Sequence, residues 1–241
     1  MLYYKTRGEG QSIALLHGWA LNSRVWDSVL PALQQHGQVT TIDLPGHGKS
    51  PLPANGGYDI ESITEEVKQV IEHTGHPAVI IGWSLGGLTA LHLALQEPEL
   101  VSKIILVTAS PQFVQSPDWP HAVDRQVIDG FAASLIQDYR GTILRFLAIQ
   151  AMGSEHAKPA IRELKEKVFI NGEPHLTALQ EGLNILTQTN IRPRLSGIKC
   201  PIQIIVGDRD TLIPASSGAA TAELLPDARV NVIEGAAHTP F

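Results

Sequence analysis

The sequence predicts an α/β fold: a mostly parallel β-sheet flanked by helices, with a helical cap inserted ahead of its last strands. Three observations carry this. Apolar runs of strand length recur at Ser12–Leu16, Val39–Asp43, Ala78–Gly82, Lys103–Thr108, Ile202–Val206 and Val230–Ile233. Stretches with helical apolar spacing lie between them, such as Ile60–His73 and Leu85–Gln96, and this alternation builds parallel crossovers. The alternation then stops between about Ser110 and Asn190.

That interrupted stretch opens on turn-rich chemistry, Ser110-Pro111 and Ser116-Pro117-Asp118-Trp119-Pro120. It continues as four helical patterns, at Val127–Tyr139, Thr142–Met152, Lys158–Phe169 and Thr177–Leu186. About eighty residues is long for one crossover. Residues 111–190 are therefore expected to form a cap (lid), and residues 1–110 and 191–241 the core beneath it.

Composition narrows the function classes. The 241 residues are 43% hydrophobic and 17% charged, ordinary for a globular enzyme. No apolar run approaches the roughly 20 residues that span a bilayer, and Met1–Arg7 has no apolar segment of leader type. The single cysteine, Cys200, excludes an internal disulfide and suits a cytoplasmic location. A net charge of −6 argues against general nucleic-acid binding. Ten histidines are present, none with ligand-like spacing, so no metal is expected.

The chemistry concentrates at Gly82-Trp83-Ser84-Leu85-Gly86, between the apolar run Ala78–Ile81 and a helical stretch. Strand, sharp turn and helix are the context of a nucleophile elbow, where a serine Oγ stands at a sheet edge above a helix N-terminus. Ser84 needs a base to take its proton, and the base needs a carboxylate to hold its ring. His238 follows the strand Val230–Ile233, and Asp208 and Asp210 follow Ile202–Val206. The order Ser, Asp, His is that of the α/β-hydrolase fold. Asp210 is favoured because Thr211-Leu212-Ile213-Pro214 follows it, with Asp208 as the competing acid. Upstream, Leu15-Leu16-His17-Gly18-Trp19 stands where this fold supplies a second oxyanion donor. The expected donors are the backbone N–H groups of Trp19 and Leu85. The rings of Trp19 and Trp83 are expected to wall the acyl pocket, with His17 in a supporting hydrogen bond. The triad calls for no cofactor.

From Arg140 to Lys167 the cap carries six basic residues (Arg140, Arg145, Lys158, Arg162, Lys165, Lys167) against three acidic ones (Glu155, Glu163, Glu166). This +3 segment inside a chain of −6 suggests an anionic partner or substrate steered by the field, or else a solvated helix face.

The sequence also resembles the pimeloyl-acyl-carrier-protein methyl ester esterases of bacterial biotin synthesis. The matching stretches are Leu15–Trp19, Asp43-Leu44-Pro45-Gly46, Gly82–Leu88, Arg145-Phe146-Leu147-Ala148-Ile149-Gln150-Ala151-Met152-Gly153 and Ala236–Phe241. The tryptophan before the nucleophile and the R-F-L-x-x-Q-x-M-G run are the specific ones. The resemblance implies that Ser84, Asp210 and His238 remove a methyl group from a pimeloyl chain carried on acyl carrier protein. It implies substrate contacts from Trp19, Trp83 and Phe146, and carrier contacts from Arg145, Lys158 and Arg162. Position 158 is lysine here, and Gly141 occupies a further such site with Arg140 adjacent. Rival readings share the triad: a general short-chain carboxylesterase without a carrier, a carbon–carbon hydrolase, or a binding protein on the same fold. In this fold a terminal helix usually follows the histidine loop, and the given sequence ends three residues after His238.

Overall fold

The computed structural model describes residues 1–54, 56–155 and 157–241. Seven strands form one sheet: β1 (Tyr4–Arg7), β2 (Ser12–Leu16), β3 (Gln38–Ile42), β4 (Ala78–Trp83), β5 (Val101–Val107), β6 (Ile202–Gly207) and β7 (Ala228–Ile233). Their order across the sheet is β1-β3-β2-β4-β5-β6-β7. β1 pairs antiparallel with β3, and every other pairing is parallel. Six strands fall where the apolar runs predict them. β1 was not expected, because Tyr-Lys-Thr-Arg is a short, mostly exposed edge strand without an apolar run.

The register sets the site. Leu16 at the end of β2 stands opposite Ile42 of β3 and Gly82 of β4. Trp83 stands opposite Val107, Val107 opposite Ile205, and Gly207 opposite Ile233. The carboxyl ends of β2 to β7 therefore share one edge, where open α/β sheets bind their ligands.

Two helices matter for that edge. α2 (Ile60–Thr74) is capped by Asp59, whose side chain accepts from the Ser62 N–H, and it buries Ile60, Ile63, Val67, Val70 and Ile71 against the core. α3 (Leu85–Gln96) is buried from Leu85 through Ala94, so it lies inside the molecule rather than on its surface. Its packing puts the first turn directly under β2. A Cβ on Gly86 would run into the carbonyl oxygens of Leu16 and His17.

Between β5 and β6 lie α4 (Arg125–Gln137), α5 (Tyr139–Gln150), α6 (Ala157–Lys167) and α7 (Leu176–Gln188). They match the four expected helices with ends shifted by less than a turn. Two short elements, a 3-10 turn at Ser23–Trp26 and α1 (Leu30–Leu33), follow β2, and α8 (Ala215–Glu223) packs between β6 and β7. Among the described residues no helix is long and apolar enough to cross a membrane.

Gly86→Ala should destabilise the fold by roughly 2–4 kcal/mol, because the obstruction is backbone on both sides and cannot rotate away. A denaturant midpoint within a few tenths of a molar of wild type would show that the elbow has room to spare.

Candidate active site

Ser84 sits at φ 54°, ψ −117°, a conformation that a non-glycine residue adopts only under constraint. Its N–H donates to the Val107 carbonyl at 3.1 Å, and its own carbonyl accepts from the Gly87 and Leu88 N–H groups. Main chain thus holds the residue on both sides, and its side chain is turned away from the regular pleat. Ser84 is 5% exposed.

His238 reaches this edge from the loop after β7 and is buried. Its Nδ1 lies 2.8 Å from Asp210 Oδ2. The other oxygen of Asp210 accepts from the N–H groups of Leu212 and Ile213 at 2.8 and 2.9 Å. The carboxylate is therefore a fixed acceptor, which places the proton of a neutral imidazole on Nδ1. Nε2 is buried and has no hydrogen-bond partner among the described residues, so its lone pair is free. Of the two competing aspartates, Asp210 is the one brought to His238. Asp208 is exposed, and its backbone N–H donates to Ile233.

The main chain of His238 is fastened at both ends. Its carbonyl accepts from Trp83 Nε1 at 2.8 Å and from Thr108 Oγ1 at 2.9 Å, and its N–H donates to the Gln150 carbonyl at 2.9 Å. This corrects the expectation for Trp83. Its ring is fully buried, packed against Trp26, Phe241 and His238, and holds the histidine loop instead of walling an open pocket. An indole has one polar atom, and here that atom is committed to His238.

Trp19 is also buried. Its Nε1 donates to the Leu179 carbonyl of α7 at 2.9 Å, and its ring meets Phe146 of α5 edge to face, with centroids 4.7 Å apart. Trp19 and Phe146 thus join the sheet edge to the inserted helices. The backbone N–H groups of Trp19 and Leu85, the expected oxyanion donors, take part in none of the fold's internal hydrogen bonds among the described residues. Gly18 approaches Ser84 so closely that a Cβ there would touch the serine Cβ at 3.3 Å.

Behind the Trp19 loop is a polar cluster. Asp43 is fully buried and accepts from the N–H groups of Ser23 and Lys49 at 2.7 and 2.9 Å, and from Asn171 Nδ2 at 3.2 Å. Asn22 donates to the carbonyls of Lys167 and Val168. His17 Nε2 accepts from the Leu44 N–H at 2.9 Å and His47 Nε2 from the Ala20 N–H at 3.2 Å. Each ring therefore carries its proton on Nδ1, facing the carbonyls of Gly18 and Pro45. His17 has the supporting role expected of it. Burial lowers the pKa of both, that of His47 to about 3.

The basic residues of the inserted helices are mostly paired. Arg145 reaches Asp138 at 3.1 Å and Thr142 at 2.8 Å. Arg140 pairs with Glu173 and lies over the Phe169 ring. Lys167 pairs with Glu163, and Arg162 approaches Glu166 at 3.9 Å. Lys158 and Lys165 have no carboxylate partner among the described residues; with Ile161, Arg162 and Glu166 they line one open face of α6. Asp138 also caps α5, accepting from the Gly141 N–H at 2.9 Å, and any side chain at 141 would strike that carboxylate.

Sequence reasoning missed Thr108, Gln150 and the Asp43 cluster. Thr108 stands at a strand end with φ 41°, and its position at the sheet edge was the available signal. Gln150 is buried with its Oε1 unpartnered, and only its place in the R-F-L-x-x-Q run marked it.

A strained serine at a strand–helix elbow, with a histidine and a buried aspartate on neighbouring strand ends, defines a class of protein. The family model for the alpha/beta hydrolase fold matches residues 11–241, and the chain belongs to that family. Its relatives include a pimeloyl-[acyl-carrier protein] methyl ester esterase of Aeromonas hydrophila, 40% identical over 234 residues, covering 97% of this chain and 91% of that protein. An esterase of the same name from Xanthomonas campestris is 41% identical over 236 residues, covering 97% and 90%. Among solved structures, an esterase from Exiguobacterium antarcticum superposes with a TM-score of 0.89 at 25% identity, covering 98% of this chain and 88% of that one.

Two predictions follow from this geometry. Trp83→Phe keeps the packing but removes the donor to His238, so it should cost about 1 kcal/mol of stability. It should also lower kcat on a small ester with little change in KM, and an unaltered kcat would show that the histidine loop is held without it. The second concerns pH. His47 is neutral in the fold down to about pH 3, whereas an unfolded histidine gains a proton near 6.5. Below that value the unfolded chain binds the extra proton, so His47 contributes stability above pH 6.5 that is lost as pH falls towards 3. His47→Gln, which retains an acceptor for the Ala20 N–H, should remove about a tenfold change in the folding equilibrium per pH unit across that window. Urea titrations from pH 6.5 to 4 with equal slopes for both proteins would refute it.

Proposed function

We propose that this chain is a serine carboxylesterase that hydrolyses the methyl ester of a pimeloyl chain carried on acyl carrier protein, as its named relatives do. The observation that carries the chemistry is the His238–Asp210 pair at 2.8 Å, which leaves His238 Nε2 without a partner among the described residues. Ser84 Oγ attacks the ester carbonyl as His238 Nε2 takes its proton. The backbone N–H groups of Trp19 and Leu85 receive the oxyanion, each worth roughly 3 kcal/mol in sites of this kind. Collapse expels methoxide, which leaves as methanol with the proton from His238. Water then attacks the acyl-serine with His238 again as base, freeing the pimeloyl carboxylate and restoring Ser84. Asp210 keeps the imidazole in the useful tautomer and stabilises it when charged.

On this reading α4–α7 act as the cap, and Trp19 and Phe146 supply apolar surface to the acyl chain. Both rings are buried between core and helices, so substrate entry requires those helices to part from the sheet edge. Lys158, Arg162 and Arg145 face the carrier, an acidic partner, and the excess positive charge on this segment supports that assignment. Arg145 must first exchange Asp138 for the carrier. A cytoplasmic location belongs to the same proposal, in keeping with a single unpaired cysteine.

The test is methyl release from pimeloyl-carrier methyl ester at low and high salt, beside a short nitrophenyl ester. The carrier substrate should be preferred at low salt and lose that preference as salt rises. Replacing Arg145, Lys158 and Arg162 together with Ala should raise KM for the carrier substrate several-fold and leave the small ester nearly unchanged, whereas Ser84→Ala should abolish both activities. Equal, salt-indifferent rates on the two substrates would leave a general carboxylesterase without a carrier. Undiminished turnover in Ser84→Ala would remove the triad itself.

A further inference from the structure

A separate crevice of about 290 Å³, lined by none of the triad residues, opens between β1, the 3-10 turn at Ser23–Trp26 and α1. Its lining charges are Lys5, Arg7, Arg24 and Asp27. Three cations against one carboxylate is an unusual balance in a chain of net charge −6. Asp27 is already engaged, accepting from Arg24 Nε at 2.7 Å. Lys5 and Arg7 have no carboxylate partner among the described residues. They project from the same face of the edge strand because they are two residues apart, and they are exposed.

The crevice also carries neutral hydrogen-bonding groups, Ser23 and Asn171, both buried and both in the wall. Behind them the negative charge of Asp43 is met by the N–H groups of Ser23 and Lys49 and by Asn171 Nδ2. Counting the Asp43 carboxylate behind the wall, three cations face two carboxylates, so the crevice keeps a net positive charge that favours an anion. An arginine fork with a lysine point charge beside it suits a tetrahedral oxyanion.

We propose that this crevice binds a small phosphate-class anion, inorganic phosphate or a phosphomonoester, through Lys5, Arg7 and Arg24. The occupant bridges the edge strand to the 3-10 turn that continues the Trp19 loop. Asn171, joined to Asp43 in the wall, links it to the segment before α7. Binding therefore stabilises the chain as its ligand concentration rises. The site is independent of the ester chemistry proposed above, since neither Lys5 nor Arg7 belongs to that machinery.

The experiment titrates the full chain with inorganic phosphate, then glycerol phosphate, then citrate, at ionic strength held constant with chloride, reading heat of binding and Tm. Saturable binding of phosphate with a rise in Tm is expected. The double variant Lys5→Gln/Arg7→Gln should bind at least tenfold more weakly while hydrolysing a nitrophenyl ester at the wild-type rate. Lys158→Gln, on a different basic face, should bind phosphate as wild type does. Equal affinity for glycerol phosphate would identify a phosphomonoester as an acceptable source, and binding of inorganic phosphate alone would identify the free ion. The proposal is overturned by absence of saturable phosphate binding, by preference for citrate, or by equal weakening in Lys158→Gln.

Discussion

The main-chain carbonyl of His238 is the point on which the site depends. It accepts from the indole of Trp83 and the hydroxyl of Thr108, which lie on the two central strands β4 and β5 or at their ends. A histidine delivered by the loop after an outer strand is thereby fixed to the middle of the sheet. Without that fixation, the 2.8 Å contact to Asp210 would order the ring relative to the acid but not relative to Ser84. Trp83 precedes Ser84 in the chain, so one dipeptide carries both the candidate nucleophile and the bolt for its base. A buried hydrogen bond that replaces solvent on both partners is stabilising by a modest amount. Its larger effect here is geometric, because catalytic groups must be held close to the productive arrangement.

A second constraint acts from the other side. The Trp19 loop is held by buried histidines and by Asp43, and it is tied through Asn22 to the carbonyls of Lys167 and Val168. Trp19 itself reaches α7. The expected oxyanion donor and the inserted helices therefore share one hydrogen-bonded scaffold, and a motion of these helices is felt at Trp19. The neutrality of His17 and His47 is part of that scaffold. Each uses its Nε2 as an acceptor, which a protonated imidazolium cannot be.

The surface charges obey different physics. Arg140 and Arg145 have carboxylate neighbours and are solvated, and such exposed pairs contribute little to stability. Asp138 serves both as helix cap and as partner of Arg145, and a Cβ at Gly141 would meet its carboxylate.

Much was determined by the sequence alone. Strand-length apolar runs placed β2 to β7. For β2 to β6 the reason is that parallel strands inside a sheet are covered on both faces, whereas β7 is an edge strand and largely exposed. Gly82–Gly86 marked the elbow, and the strand ends bearing Asp210 and His238 marked its partners, because a mostly parallel sheet gathers its carboxyl ends on one edge. The basic excess between Arg140 and Lys167 was legible too, since charge is additive along a chain. Tertiary structure alone decided the rest. It turned Asp210, already favoured by the Pro214 that follows it, inward to His238 and left Asp208 in solvent. It converted Trp83 from an expected pocket wall into a donor to His238. It brought Lys5, Arg7 and Arg24 together from segments with no common motif, and it joined Asp43, Asn22 and Asn171 across the fold. β1 escaped notice because an exposed edge strand draws its order from backbone pairing with β3, which leaves no apolar pattern. The common physical reason is that local sequence encodes periodicity and burial, whereas a hydrogen bond between residues 155 apart, as from Trp83 to His238, exists only once packing has oriented both partners.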